Sequence, residues 1–171
     1  IRHLMEKTSD VQEKKYLVNH FLESFRGTLF RQTMFAEFEY QVHQKAERGE
    51  ALTANALCAM YRKLNEEYFG SALVADEEIS YEWERIPHFY TPFYVYQYAT
   101  GFSAAIAISG RILNGEEGAL EGYRQFLRSG CTMPPVELLK LAGVDMSTAQ
   151  PVKAALEVFG GLLDEFEAMG K

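Results

Sequence analysis

The sequence has no paired cysteine motif, no H-E-x-x-H, no basic excess and no long apolar run, and each absence excludes something. Its two cysteines, Cys58 and Cys131, are isolated, with no C-x-x-C around either. That usage fits reduced thiols rather than a disulfide scaffold. No secretory leader is visible, since the chain starts at Ile1 and reads as helical through Lys7, so a cytoplasmic setting is expected. No stretch approaches the roughly 20 apolar residues needed to span a bilayer. The longest weakly polar run, Ala99 to Ile108, contains Thr100, Gly101 and Ser103. The formal charge is -7, with acidic residues spread along the chain. This argues against nucleic acid and anionic membrane as partners, because both need a basic face.

Other chemistries are missing too. The four histidines are His3, His20, His43 and His88, and no two are four apart, so none forms an H-E-x-x-H metal pair. Glu39 and His43 could share a helix face, but one such pair is common on solvated helices. Gly101-Phe102-Ser103-Ala104-Ala105 lacks the final glycine of a nucleophile elbow and falls inside a helical pattern. Neither cysteine has an activating neighbour in sequence, and no phosphate-binding loop appears. Glu37, among phenylalanines, reads as a polar anchor for Arg26 or Arg31 rather than as an acid catalyst.

What is present is helix. With 171 residues, 47% of them hydrophobic and 24% charged, the chain is globular and of single-domain size. It is read as one all-α piece over residues 1–171, a bundle of about six to seven helices. Ser9-x-x-Gln12 has capping-box spacing. From about Val11, Leu17, Phe21, Phe25 and Leu29 recur every fourth residue, and Phe30, Met34, Phe38 and Val42 make a second row. The pattern lasts to about Arg48, with an interruption expected near Gly27. Thr53 is the expected N-cap of the next helix, which Gly70 stops. A third runs from Pro92 to about Asn114, with small residues in its second half that allow close packing. Helices then follow at Glu116–Arg128, from Pro134-Pro135 to Leu141, and from about Gln150 to Met169, the last with a second capping-box candidate at Ser147-x-x-Gln150. No useful strand alternation occurs; Leu73-Val74 is the only scrap.

One stretch resists explanation as core. Residues 86–101 hold His88, four tyrosines (Tyr90, Tyr94, Tyr96, Tyr98), two prolines and a terminal glycine. A tyrosine brings an apolar ring with a hydroxyl that needs a partner when buried, an obligation a plain core avoids. These groups donate hydrogen bonds, and so suit an oxyanion developing on a carbonyl or phosphoryl centre. At about 100° per residue, Tyr94 and Tyr98 share one helix face and Tyr96 lies nearly opposite. If Tyr96 faces a site, Tyr94 and Tyr98 are expected to pack. His88 and Tyr90 sit on the preceding loop, able to reach the same site. No nucleophile and no base accompany them.

The segment Arg26-Gly27-Thr28-Leu29-Phe30-Arg31-Gln32-Thr33-Met34-Phe35-Ala36-Glu37-Phe38-Glu39, then Ile86-Pro87-His88-Phe89-Tyr90 and Phe93-Tyr94-Val95-Tyr96-Gln97-Tyr98-Ala99-Thr100-Gly101, resembles the oligoendopeptidase F group of the thimet-oligopeptidase-like zinc peptidases. The likeness extends over essentially the whole chain, through Gly143-Val144-Asp145-Met146. The resemblance implies the C-terminal part of a helical zincin-type catalytic domain, with a channel that admits oligopeptides. It implies zinc in the intact enzyme, held by an H-E-x-x-H helix and a later glutamate that would precede Ile1. It therefore implies no metal ligand in this chain, which should be inactive alone. It assigns catalytic roles to His88 and Tyr96, and substrate binding to His88, Tyr90 and Tyr96. The expected partners are an oligopeptide substrate and the N-terminal remainder of the same enzyme, with self-association wherever apolar surface is left uncovered. The competing reading is a non-catalytic helical module that binds peptides or acts as a scaffold.

Overall fold

The computed structural model describes residues 1–170, all of whose regular structure is helical: eight α-helices, one π-helical turn and two 3-10 segments. The eight are α1 (Arg2–Lys7), α2 (Val11–Phe25), α3 (Arg31–Glu47), α4 (Ala54–Phe69), α5 (Tyr96–Leu113), α6 (Ala119–Ser129), α7 (Pro135–Leu141) and α8 (Gln150–Met169). No strand forms among the described residues, and Leu73 and Val74 are exposed coil. The expected count of six to seven rises to eight because the long pattern from Val11 is divided. Its interruption is a π-helical turn, Arg26–Phe30, which includes Gly27. Such a turn inserts an extra residue into the i→i−4 ladder and resets the helix face.

The helix ends show where local chemistry overrode spacing. α2 is capped by Asp10, whose carboxylate accepts from the amides of Gln12 and Glu13; Ser9 does not cap it. An ionised side chain at a helix N-terminus gains from the dipole as well as from the hydrogen bonds, which a serine hydroxyl cannot match. The second expected box also fails, since Ser147 donates its hydroxyl to Asp145, and it is Thr148 Oγ1 that accepts from the first amide of α8, Gln150 N, at 3.4 Å. Thr53 does cap α4, accepting from Ala56 N at 3.3 Å, and Gly70 ends that helix at φ 68°.

The chain forms two compact units: Ile1–Arg26 with the chain from Thr100 onward, and Gly27–Ala99. In the first unit α2 packs on α8. Phe25, fully buried, meets Phe102 edge-on at 4.9 Å and Phe159 at 5.5 Å. A second cluster in this unit joins Ala104 and Ile108 of α5 to Ala142 and Val144 after α7. The small-sided half of α5 is buried on one face, at Ser103, Ala104 and Ile108, while Gly101, Ala105 and Ser109 are exposed.

The second unit carries the tyrosine-rich stretch. Its core is Met34, Phe35 and Phe38 of α3, Tyr61 and Leu64 of α4, and Ile86 and Val95 from the later segment. Phe38 meets Tyr61 edge-on at 5.2 Å, a geometry worth about 0.5–1.5 kcal/mol beyond its area. The Tyr61 hydroxyl needs a partner in that setting and finds Glu82 at 2.7 Å. Glu82, itself buried, also accepts from Arg31 and Arg85, each at 2.6 Å. Glu37 does not anchor Arg26 or Arg31: it accepts from Tyr68 at 2.8 Å and Gln41 at 3.1 Å, while Arg26 pairs with Glu23.

Candidate functional site

Two anchors hold the tyrosine-rich stretch on the second unit. The 3-10 turn Pro87–Tyr90 starts from buried Ile86. Its Phe89 ring lies 5.6 Å from Phe35 and 5.4 Å from Phe38. Beyond it, Val95 is fully buried. Between these apolar anchors the chain turns through Thr91, Pro92 and Phe93, and Phe93 adopts φ 58°. A left-handed residue ends any helix running through it, so α5 begins at Tyr96 rather than Pro92.

The trio that the fold assembles is His88, Tyr94 and Tyr98. His88 Nε2 lies 3.2 Å from the Tyr98 hydroxyl, which lies 3.3 Å from that of Tyr94. The His88 ring stacks on Tyr94 at 5.8 Å and 15°, and Tyr98 stands edge-on to both. The hydrogen bond to Tyr94, and secondarily desolvation, raise the Tyr98 pKa above the ordinary phenol value.

Of the residues expected from sequence, His88 is half-buried within this trio. Tyr90 closes the 3-10 turn and is 82% exposed, and Tyr96 opens α5 at 50% exposure. Tyr94 and Tyr98, expected to pack, instead turn their hydroxyls into the histidine network. Tyr94 lies in the turn before α5, beyond the reach of a helical-wheel reading.

Glu39 and His43, the helix-spaced pair, serve that same turn. Glu39 is buried and accepts the Phe93 N–H at 2.8 Å, while the His43 ring lies 4.6 Å from the Phe93 ring. Among the described residues no three His, Cys, Asp or Glu side chains gather as metal ligands. The site can therefore donate hydrogen bonds to an acceptor and stack against a chain, but it offers no activated nucleophile. The first unit has a cavity of about 850 Å³ bounded by α1, α5, α8 and the loop after α7. It has no histidine or tyrosine in its lining, and its Arg111 is already engaged by Glu116 and the Ala142 carbonyl.

Residues 2–158 match the sequence profile of Peptidase family M3. The chain is 50% identical over 167 residues to oligopeptidase PepF of Bacillus subtilis, covering 98% of this chain and 25% of that protein. It is 43% identical over 166 residues to the plasmid oligoendopeptidase F of Lactococcus lactis subsp. cremoris, covering 97% of this chain and 28% of that one. A crystal structure of oligoendopeptidase F from Enterococcus faecium superposes with a TM-score of 0.96 at 47% identity, over 98% of this chain and 32% of that chain. The chain thus spans about a quarter of the length of the curated relatives it matches.

Proposed function

The chain belongs to peptidase family M3, and from that membership we propose that it is the substrate-binding wall of a zinc metalloendopeptidase that hydrolyses oligopeptides. It forms the C-terminal part of the catalytic domain. His88 and Tyr96 donate to the oxyanion that develops on the scissile carbonyl, and His88, Tyr90 and Tyr96 contact the bound peptide. The observation that supports this best is the setting of His88: a half-buried imidazole joined to phenol hydroxyls, in a stretch whose Tyr90 and Tyr96 rings are exposed. Donors held in place before reaction stabilise developing charge without reorganising, which is where they gain most.

The residues of this chain do not fit the metal. A catalytic zinc takes three protein ligands and keeps an open position, and no such group forms among the described residues. The ligands belong to another part of the longer enzyme, so the work assigned to this chain is peptide binding and hydrogen-bond donation. Alone it is inactive. Its exposed rings are covered by the remainder of the enzyme or, without it, by a second copy. The enzyme works in the cytoplasm, a setting compatible with the unpaired Cys58 and Cys131.

Two measurements test this reading. In the intact enzyme, His88→Ala should lower kcat/KM for an oligopeptide by roughly 10²-fold; an unchanged value would remove His88 from the site. By elemental analysis the intact enzyme should hold about one zinc and the dialysed 171-residue chain none, given a ligand set of three. Stoichiometric zinc retained by the chain would overturn the allocation of ligands.

A further inference from the structure

Glu39 is a buried carboxyl group that no cation meets. It is 7% exposed, and among the described residues its one hydrogen bond is to the Phe93 N–H at 2.8 Å. Burial of such a group is costly unless partners satisfy it, and an apolar side chain would fill the same space on α3 without that cost. The residue it holds is costly as well. Phe93 stands at φ 58°, where a side chain faces a preference for right-handed backbone of roughly 5–30-fold in population. Its ring is 54% exposed, so burial of the ring does not offset that preference. Strain of this kind persists only where the surroundings over-determine it, and it concentrates at functional sites.

Two residues of α3, one turn apart, meet this strained position. Glu39 takes its amide, and His43 sets its ring 4.6 Å from the Phe93 ring. Their helix is fixed in the core by Met34, Phe35 and Phe38. Next after Phe93 comes Tyr94, whose ring stacks on His88 at 5.8 Å and 15°. The segment of His88 is itself seated on α3, through Phe89 against Phe35 and Phe38. Both partners of the stack are thus referred to one helix: His88 through Phe89, and Tyr94 through Phe93 and Glu39.

We propose that Glu39 is a positioning residue of the peptidase site: acting through the Phe93 amide, it holds Tyr94 against His88 and so fixes where the imidazole points. This rests on the reading of the site as a peptidase substrate wall. Glu39 touches no substrate. Its part is to keep a donor in place before reaction, since a donor that must reorient stabilises less. A turn that only joined two helical segments would take glycine at this position, with no strain and no clamp.

The test is made in the intact enzyme with Cε1-labelled histidine, the His88 Cε1–H signal being assigned by its loss in His88→Gln. Stacked on Tyr94, that proton carries the ring current of the phenol. Glu39→Ala should move the signal, and Glu39→Gln, which keeps a carbonyl acceptor, should leave it near its wild-type position. If the alanine variant does not fold, Glu39→Met fills the space without an acceptor and carries the same test. A residue that merely stabilised the unit would lower the melting temperature and leave the signal of the folded molecules unmoved. On the same folded samples, kcat/KM for an oligopeptide should fall roughly ten-fold to a hundred-fold in Glu39→Ala, as small misplacements at a reacting centre do. Glycine takes left-handed backbone freely, so Glu39→Ala combined with Phe93→Gly should recover part of both signal and activity. An unmoved His88 signal would overturn the proposal, as would a moved signal with kcat/KM kept in Glu39→Ala but lost in His88→Ala. A moved signal with kcat/KM kept in both variants would leave Glu39 holding the stack and overturn the substrate-wall reading instead.

Discussion

Phe93 donates its backbone N–H to Glu39 Oε1 at 2.8 Å, across 54 positions of sequence. Phe93 is also the non-glycine residue with positive φ among those described, at 58°. A side chain there costs roughly 1–2 kcal/mol relative to right-handed backbone. The surroundings must therefore hold it, and two contacts from α3 do so: the buried carboxylate takes its amide and the His43 ring covers its side chain. Tyr94 follows at once and α5 starts at Tyr96, so this contact lies directly before the last three tyrosines of the stretch.

Glu39→Ala should therefore be costly twice over. It leaves the Phe93 amide without its carboxylate partner, worth up to about 1–3 kcal/mol, and it frees Phe93 to leave its left-handed conformation. Glu39→Gln, which keeps a carbonyl acceptor, should retain most of the stability. Denaturant unfolding of both variants checks this, and an unchanged midpoint for the alanine variant would show that Phe93 is held by other means.

Glu82 gives the second unit a pH dependence of known sign. Burial alone would raise its pKa, but the hydrogen bonds from Tyr61 and Arg31, with the charges of Arg31 and Arg85, outweigh it and hold the carboxyl below the ordinary glutamate range. A depressed folded pKa means that the ionised form is favoured by folding. The stability it contributes is present above the unfolded value of about 4.3 and is lost as the pH falls through the folded one. Unfolding free energy should fall on acidification over that window, and Glu82→Gln should flatten the fall. Tyr61→Phe, which removes one bond to a charged acceptor, should cost about 1.5–3 kcal/mol near neutral pH. An acid limb identical in wild type and Glu82→Gln would assign the loss to other carboxylates.

The helical class and most helix positions could be read from the spacing of Leu17, Phe21, Phe25, Met34 and Phe38, because burial of one face leaves a period near 3.6 in the sequence. His88 stood out because a polar group among aromatics demands a partner. The starting point of α5 could not be read. Pro92 fits a first helical turn locally, and the left-handed Phe93 that delays the helix to Tyr96 is held by contacts from Glu39 and His43, distant in sequence. That delay moved Tyr94 out of the helix and into the histidine network. The Ser9 cap failed for a simpler reason: Asp10 is adjacent to it and binds the first amides of α2 with a full charge.

In the first unit, Gly143 is held open for Arg111. Its φ is 74°, and a Cβ there would lie 1.4 Å from Arg111 Nη1, which donates to the Ala142 carbonyl at 2.7 Å. Gly143→Ala should cost the left-handed penalty of roughly 1–2 kcal/mol plus the displacement of the guanidinium from its acceptor. In an Arg111→Ala background only the backbone part should remain, so the two substitutions should be non-additive. Thermal unfolding of the four proteins in the cycle measures this, and strict additivity would mean that the arginine moves aside at no cost.

Tyr96 offers the sharpest kinetic test of the substrate wall. It opens α5, half exposed, one residue after fully buried Val95. Its backbone is thus fixed while its ring remains reachable, which is the arrangement a donor to a bound molecule needs. Phenylalanine preserves the ring and removes only the hydroxyl. If that hydroxyl meets the substrate mainly when its carbonyl oxygen becomes an oxyanion, ground-state binding barely changes and the barrier rises. In the intact enzyme Tyr96→Phe should then lower kcat by roughly 10²-fold or more with KM little altered. A raised KM at constant kcat would instead make Tyr96 a contact felt equally in substrate and transition state. No change in either would mean that its half-exposed ring serves only to cover Val95 and the start of α5.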